Sequence, residues 1–244
     1  LLVVGSRFVD GIGRPRHASA TARFIYLNLS ASDMAEPRTQ GLALQADAGL
    51  GCLALLEQIH GLKAPSRAAD VARVKAWCDE QIAFIEPQLS YVRALREVIP
   101  DDGILVNELT QIGYASTFAY PVYGPRTFIT PGYQGTLGYG FATALGVALG
   151  NPGKAVVSIN GDGGFGWNLQ ELATAAKYGA NLVIVVFADG AFGNVRRIQS
   201  NVFQREIGTE LHNPDFLKLA EAFGVRGVRV ASPQGLGSAG KSAL

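Results

Sequence analysis

The sequence has little of what marks a disulfide-bonded, zinc-binding or nucleic-acid-binding protein. Its two cysteines, Cys52 and Cys78, form no CxxC pair and have no histidine at ligand spacing. This argues against a disulfide framework and a zinc site, and it favours a reducing compartment, the cytoplasm. The 21 Lys and Arg residues nearly balance the 20 Asp and Glu residues, whereas a nucleic-acid-binding protein would carry a basic excess. The longest uncharged apolar run, residues 182–188, is too short to cross a bilayer, so we expect no nucleic-acid or membrane partner.

Glycine, in contrast, is abundant, with 30 residues in a chain of 244. From residue 87 onward, apolar runs typical of strands alternate with helical patterns. Such alternation predicts an α/β fold with a mainly parallel sheet and helices on both faces. We expect strands at 104–106, 155–159, 182–187 and 225–230, and helices at 87–99, 141–149, 169–178 and 214–223.

Composition divides the chain into four segments. Residues 1–62 combine two strand-like runs with a helical stretch, which predicts a partial second α/β domain. Residues 63–86 predict a linker helix, and residues 87–231 the main α/β domain. Residues 232–244 have the Gly and Ser content of a linker, which predicts a flexible tail. Because the chain begins inside an apolar strand-like run and without Met, we expect it to be a piece of a longer protein.

The glycine-rich loop 161–166 carries Asp162 directly after a predicted strand, and Asn168 with Glu171 predicts a capping box at the helix that follows. Backbone N–H groups at a helix start, in a loop with little side-chain bulk, suit a phosphate. Asp189 follows the next strand, and a right-handed crossover would place both aspartates at one edge of the sheet. The repulsion between two carboxylates beside a diphosphate is costly unless a cation lies between them. Mg²⁺ suits this place best, because it takes oxygen ligands and commonly bridges carboxylates to phosphates.

A second interpretation of this loop stays open. Gly161, Gly163 and Gly166 also satisfy the GxGxxG fingerprint of a Rossmann-like nucleotide-binding module, with Asp189 as the ribose-binding acid. The separation from Gly161 to Asp189 is 28 residues, however, whereas the usual spacing is about 20. Asp162 would also repel a pyrophosphate bound without a metal. A plain turn explains one aspartate but not the pair.

The same loops resemble the thiamine-diphosphate signature. That signature runs from a GDG sequence, here residues 161–163, through a helix and a strand to an Asn-Asn or Asn-Asp pair, here represented by Asp189. The upstream run PGYQGTLGYG, residues 131–140, is similar to the segment that precedes the signature in acetolactate synthase and its relatives. On these residues the chain is identified as a member of the thiamine-diphosphate-dependent enzymes, acetolactate-synthase-like. The resemblance implies that residues 87–231 form the thiamine-diphosphate-binding fold and that residues 1–62 are part of the family's middle domain.

The resemblance also implies a role for each matching residue. Asp162, Asp189 and the backbone carbonyl of Ala191 would hold Mg²⁺, which binds the diphosphate. Leu137 would bend the cofactor into a V shape, and the carbonyl of Gly135 would accept from its aminopyrimidine amine. The full set of positions implied to bind the cofactor is Gln111, Gly135, Leu137, Gly161, Gly163, Gly164 and Gly193.

The activity implied by the resemblance is the making or breaking of a C–C bond beside the carbonyl of a 2-oxo acid. Acetolactate-synthase-like carboligation is the first expectation, and 2-oxo-acid decarboxylation or another C–C lyase reaction is the alternative. The family's activating Glu lies on a pyrimidine-binding domain outside these 244 residues, and family members assemble as dimers or tetramers. Some relatives carry FAD on the middle domain, although Asn28 and Ser30 stand where those relatives often have acids.

Several positions depart from the family's pattern. Gly164 replaces a frequent Ser or Thr, Ala188 replaces the first Asn, and Ile112 stands where several acetolactate synthases have His. Glu108 ends a predicted strand and could face the cleft, but we interpret it as a solvated loop acid.

Overall fold

The computed structural model describes residues 1–9, 14–35, 41–132 and 134–244. These residues form two compact units, Leu1–Arg73 and Val74–Leu244. Within the described residues, every helix is too short or too polar to span a lipid bilayer.

The first unit contains a parallel sheet with strand order β1-β2-β3. Val3, Phe24, Tyr26 and Met34 form its buried apolar cluster, and Asp47 caps the second helix by accepting the N–H of Leu50 at 3.1 Å. The elements are β1 (Leu2–Val4), β2 (Ile25–Asn28), α1 (Ser32–Ala35), β3 (Leu42–Gln45) and α2 (Ala48–Gln58). The helix α3 (Ala68–Ile82) follows, within the segment predicted as a linker helix.

The second unit contains a parallel sheet with strand order β5-β4-β6-β7. Its strands are β4 (Ile104–Asn107), β5 (Phe128–Ile129), β6 (Val156–Gly161) and β7 (Leu182–Phe187). Its helices are α4 (Gln88–Val98), α5 (Gln111–Ala119), α6 (Tyr139–Gly150), α7 (Asp162–Phe165), α8 (Leu172–Tyr178), α9 (Gly193–Phe203), α10 (Phe216–Ala222) and α11 (Pro233–Ala243).

Helices cover both faces of this sheet, as the sequence predicts. Side chains alternate along a strand, and Leu105 on β4 packs with residues of α4, α5 and α11. Its neighbours Ile104 and Val106 point the other way and pack against α6 through Ala144 and Ala148. The sheet therefore lies between two apolar layers, with the carboxyl ends of its strands at one edge.

Two predicted elements are wrong. Residues 233–243 form helix α11 and not a flexible tail, because Ser232 caps the helix, Pro233 opens it, and the apolar side chain of Leu236 is buried in the core. Residues 225–230 form no strand in the described structure, although three of the six are valine, a residue that favours strands. Of that run only Val225 contacts a core cluster, and residues 226–230 are exposed with no neighbouring strand to pair with.

Candidate functional site

Acidic residues follow three adjacent strands where each strand ends. Glu108 comes directly after β4, Asp162 directly after β6, and Asp189 two residues after β7. The register pairs Gly161 with Phe187 across β6 and β7, so the loops that begin there are neighbours. Because the three strands are parallel, all three acids belong to one edge of the sheet.

Asp162 is the most constrained of these acids. Its side chain is only 4% exposed, and each carboxylate oxygen has hydrogen-bond donors. Oδ1 accepts the N–H of Gly163 at 2.9 Å, while Oδ2 accepts the N–H of Gly190 at 2.8 Å and the amide Nδ2 of Asn213 at 2.6 Å. These bonds compensate a buried carboxylate for its lost water, and they tie the 161–164 loop to the loop after β7.

The loop after β7 carries the other residues predicted to hold the metal. Asp189 is exposed, and its Oδ1 accepts the N–H of Ala191 at 3.3 Å. Ala191 is buried, and its carbonyl accepts the N–H of Gly193 at 2.9 Å. A carbonyl oxygen has two lone pairs, so this bond leaves Ala191 able to accept a cation. The structure thus brings the loops of Asp162 and Asp189 together through the bond from Gly190.

A small cavity opens beside these loops, in the second unit. Leu137 stands in its lining with half of its side chain exposed, which distinguishes it from an ordinary core leucine. The lining is tight at two of its glycines, since a Cβ at Gly135 would displace the side-chain end of Leu109 and one at Gly164 would displace the carboxylate of Glu108. The residues that line the cavity are Glu108, Leu109, Thr110, Gly135, Thr136, Leu137, Gly161 and Gly164.

Three other residues predicted to bind the cofactor are not part of the cavity lining. Gln111 is exposed in the first turn of α5, next to the cavity residue Thr110, which caps that helix through the N–H of Gly113. The N–H groups of Gly163 and Gly193, predicted to face phosphate, donate to Asp162 and Ala191 in this structure. Their roles toward a diphosphate stay predictions.

Glu108 is not the solvated loop acid that its position suggested. Its side chain is 2% exposed, and its Oε1 accepts the N–H of Gly138 at 2.6 Å. Burial raises the pKa of this carboxyl above its ordinary value, while the backbone N–H groups of Gly138, Gly161 and Tyr139 act in the opposite direction. Its Oε2 is buried without a hydrogen-bond partner.

The predicted role of Asn168 is wrong, and the contact of Asn213 was not predicted. Asn168 makes no side-chain cap bond, so the capping box with Glu171 does not form. Its Nδ2 instead donates to the carbonyl of Gly138 at 2.7 Å. Asn213 reaches Asp162 from 51 positions along the chain, and no local pattern announces such a contact.

Comparison with known proteins identifies the family. A family model described as "Thiamine pyrophosphate enzyme, C-terminal TPP binding domain" matches residues 110–244. The chain belongs to this family of thiamine pyrophosphate enzymes. Thiamine pyrophosphate is thiamine diphosphate, so the membership favours the thiamine-diphosphate interpretation of the GDGG loop over the Rossmann-like one.

The relatives of this chain include acetolactate synthases. The chain is 31% identical over 250 residues to the probable acetolactate synthase large subunit of Methanocaldococcus jannaschii, covering 96% of this chain and 42% of the relative. It is 29% identical over 259 residues to the mitochondrial acetolactate synthase catalytic subunit of Saccharomyces cerevisiae, covering 97% and 37%.

A solved structure shares the fold. The thiamine diphosphate-dependent 4-hydroxybenzoylformate decarboxylase of Rhodococcus jostii RHA1 matches with a TM-score of 0.74 and 25% identity, over 99% of this chain and 46% of that one. The chain therefore spans less than half the length of these relatives.

Proposed function

We propose that this chain forms the diphosphate- and Mg²⁺-binding half of a thiamine-diphosphate-dependent enzyme that acts on 2-oxo acids, with acetolactate-synthase-like carboligation as its reaction. Family membership and the acetolactate synthase relatives support the cofactor and the reaction class. When bound, thiamine diphosphate supplies the electron sink for chemistry beside a carbonyl, and the protein supplies binding and electrostatics.

One observation carries the metal part of the proposal, namely the fixed carboxylate of Asp162. Bonds from Gly163, Gly190 and Asn213 hold it between the two loops that the signature joins. Carboxylate and carbonyl oxygens are the donors that Mg²⁺ takes in proteins, and Asp162, Asp189 and the Ala191 carbonyl are such donors. Neighbours that fix a ligating carboxylate raise the affinity of a metal site.

The cavity residues also fit the cofactor. Glycines at 135 and 164 keep the lining free of side chains that would fill it, and Leu137 presents an apolar surface there. In this proposal Leu137 would pack against the cofactor and the Gly135 carbonyl would accept from its amine. Gly161, Gly163, Gly164, Gly193 and Gln111 line the approach to the diphosphate.

Removal of the Asp162 carboxylate tests the proposal. We expect the wild-type chain to bind thiamine diphosphate only when Mg²⁺ is present, and Asp162→Ala to lose at least about tenfold in affinity, because it removes a charged metal ligand. Isothermal titration calorimetry with and without Mg²⁺ measures both effects.

The matched control is Asp102→Ala, which removes an exposed acid of the same unit. It should bind as the wild type does. Binding of thiamine diphosphate that is indifferent to Mg²⁺, or equal in the Asp162 and Asp102 variants, would contradict the proposed site.

A second candidate reaction is the decarboxylation of a 2-oxo acid, because the structural match is named as a decarboxylase. The two reactions differ in stoichiometry. Joining two 2-oxo acids releases one CO₂ for every two substrates consumed, whereas decarboxylation releases one for each. The ratio of CO₂ released to substrate consumed by the full-length enzyme separates them.

We further propose a homo-oligomer in the cytoplasm. Exposed apolar side chains along α9, at Val195, Ile198, Val202 and Phe203, support a self-association surface, since such patches mark interfaces.

The free thiols of Cys52 and Cys78 accord with a reducing compartment. Within the described part of this segment, residues 1–9, 14–35 and 41–62, nothing adds support for FAD beyond the resemblance.

A further inference from the structure

The backbone of Gly138 is held from both sides by side chains that lie 30 positions away in opposite directions. Its N–H donates to Oε1 of Glu108 at 2.6 Å, and its carbonyl accepts from Nδ2 of Asn168 at 2.7 Å. We call Glu108, Gly138 and Asn168 the Gly138 clamp. Gly138 has a φ of +84°, and a Cβ there would overlap the Asn168 amide, so the clamp requires glycine.

The clamp lies at the start of a helix that lacks its own cap. Gly138 is the N-cap of the twelve-residue helix α6, offers no side chain, and is followed by no acid in the first turn. Free N–H groups at a helix start need an acceptor, and a carboxylate there is stabilised by the helix dipole. Glu108 supplies that acceptor from the end of β4.

Glu108 also packs against the GDGG loop. Its carboxylate occupies the space beside Gly164 that a Cβ would need, so a Ser or Thr at position 164 would displace it. Among the described residues no Lys, Arg or His pairs with Glu108. The Glu108 carboxylate therefore contacts the two other loops that line the cavity, at Gly138 and Gly164. Among the described residues it forms no ion pair that would compete with these contacts.

We infer that Glu108 is a positioning residue, which with Asn168 fixes Gly138 and thereby holds Leu137 and Gly135 in place at the cavity. Leu137 directly precedes the clamped residue, and half of its side chain is exposed at the cavity. A backbone anchored at the next residue keeps this exposed leucine where a ligand meets it. The inference rests on the proposed function only in taking the cavity as the place where thiamine diphosphate binds.

Amide hydrogen exchange at Gly138, followed by NMR in the protein without ligand, tests the clamp directly. Glu108→Ala removes the acceptor, so the Gly138 amide should exchange about tenfold faster. Glu108→Gln keeps an acceptor oxygen of the same size and should restore most of the protection. Asn168→Ala removes only the bond to the carbonyl and should give a smaller increase.

The control is Glu97→Ala, an exposed acid of α4, which should leave Gly138 unchanged. Unchanged exchange at Gly138 in Glu108→Ala would overturn the inference. So would equal acceleration in the Gln and Ala variants, or acceleration spread evenly over β4 and α6, which would mean general destabilisation.

Cofactor binding is measured separately on the same proteins. With Mg²⁺ present, Glu108→Ala should bind thiamine diphosphate about tenfold more weakly than Glu97→Ala, and Glu108→Gln should fall between them. If the wild type bound no thiamine diphosphate, the proposed function would fail, and the exchange data would still judge the clamp. Equal affinity in Glu108→Ala and Glu97→Ala would overturn the positioning role.

Discussion

Burial and hydrogen bonding act on the carboxyl group of Glu108 in opposite directions. Desolvation is the larger cause, and it raises the pKa above the ordinary value of 4.5 despite the N–H groups around the carboxylate. The folded protein therefore binds a proton here more tightly than the unfolded chain does. This contributes stability below the unfolded pKa that is lost as the pH rises through the folded pKa.

Glu108→Gln should remove that dependence. The free energy of unfolding of the Gln variant, relative to the wild type, should increase as the pH rises above about 4.5, because Gln carries no proton to lose. Urea unfolding of both proteins over a pH series from about 4 to about 8 measures the difference. A constant difference over that series would contradict the raised pKa.

Sequence reasoning about single residues was correct on which residues lie at the carboxyl end of a strand. Asp162 and Glu108 both follow buried strands, and the rule that such residues share the carboxyl edge applies equally to them. Whether the acid is then buried depends on what covers it. Gly138 and Gly164 cover Glu108 from distant parts of the chain, and Asn213 reaches Asp162 in the same way. No spacing pattern encodes those contacts.

Helix α11 shows how packing overrides composition. Residues 233–243 include three glycines, and glycine disfavours helix by about 1 kcal/mol each. The helix forms because Leu236 packs into the cluster of α4 and α5, and Gly240 lets α11 approach Val98 on α4. The helical period of α4 and the continuous apolar run of β7 could be predicted, whereas α11 depends on a tertiary contact.

Leu236→Ala tests this account of α11. The side chain is 6% exposed, so its removal leaves a cavity and should lower the free energy of unfolding by about 2–5 kcal/mol. Gln234→Ala, at an exposed position of the same helix, should change it by less than about 0.5 kcal/mol. Chemical denaturation compares the two variants, and a Leu236 effect no larger than that of Gln234 would mean that residues 233–243 do not dock.

At the scale of the whole molecule, every residue predicted to hold the cofactor or the metal lies in the unit Val74–Leu244. The family model begins at residue 110, within that unit. The matched family domain and the predicted site residues therefore lie in the same unit. The unit Leu1–Arg73 has its own sheet and its own apolar cluster. The two units divide between Arg73 and Val74, inside the segment 63–86 predicted as a linker helix, and the four-segment domain organisation stays a prediction. The sequence could not predict which loops meet within the second unit.

Ligand binding should therefore protect the two units unequally. A ligand at 100 times its dissociation constant stabilises the state that binds it by about 2.7 kcal/mol, which slows exchange through unfolding of that unit about a hundredfold. With thiamine diphosphate and Mg²⁺, we expect amides of β4, β6 and β7 to gain this protection and those of β1 and β2 to change little. Hydrogen exchange followed by mass spectrometry measures both sets, and Asp162→Ala should abolish the gain. Equal protection of β2 and β6 would contradict separate unfolding of the two units.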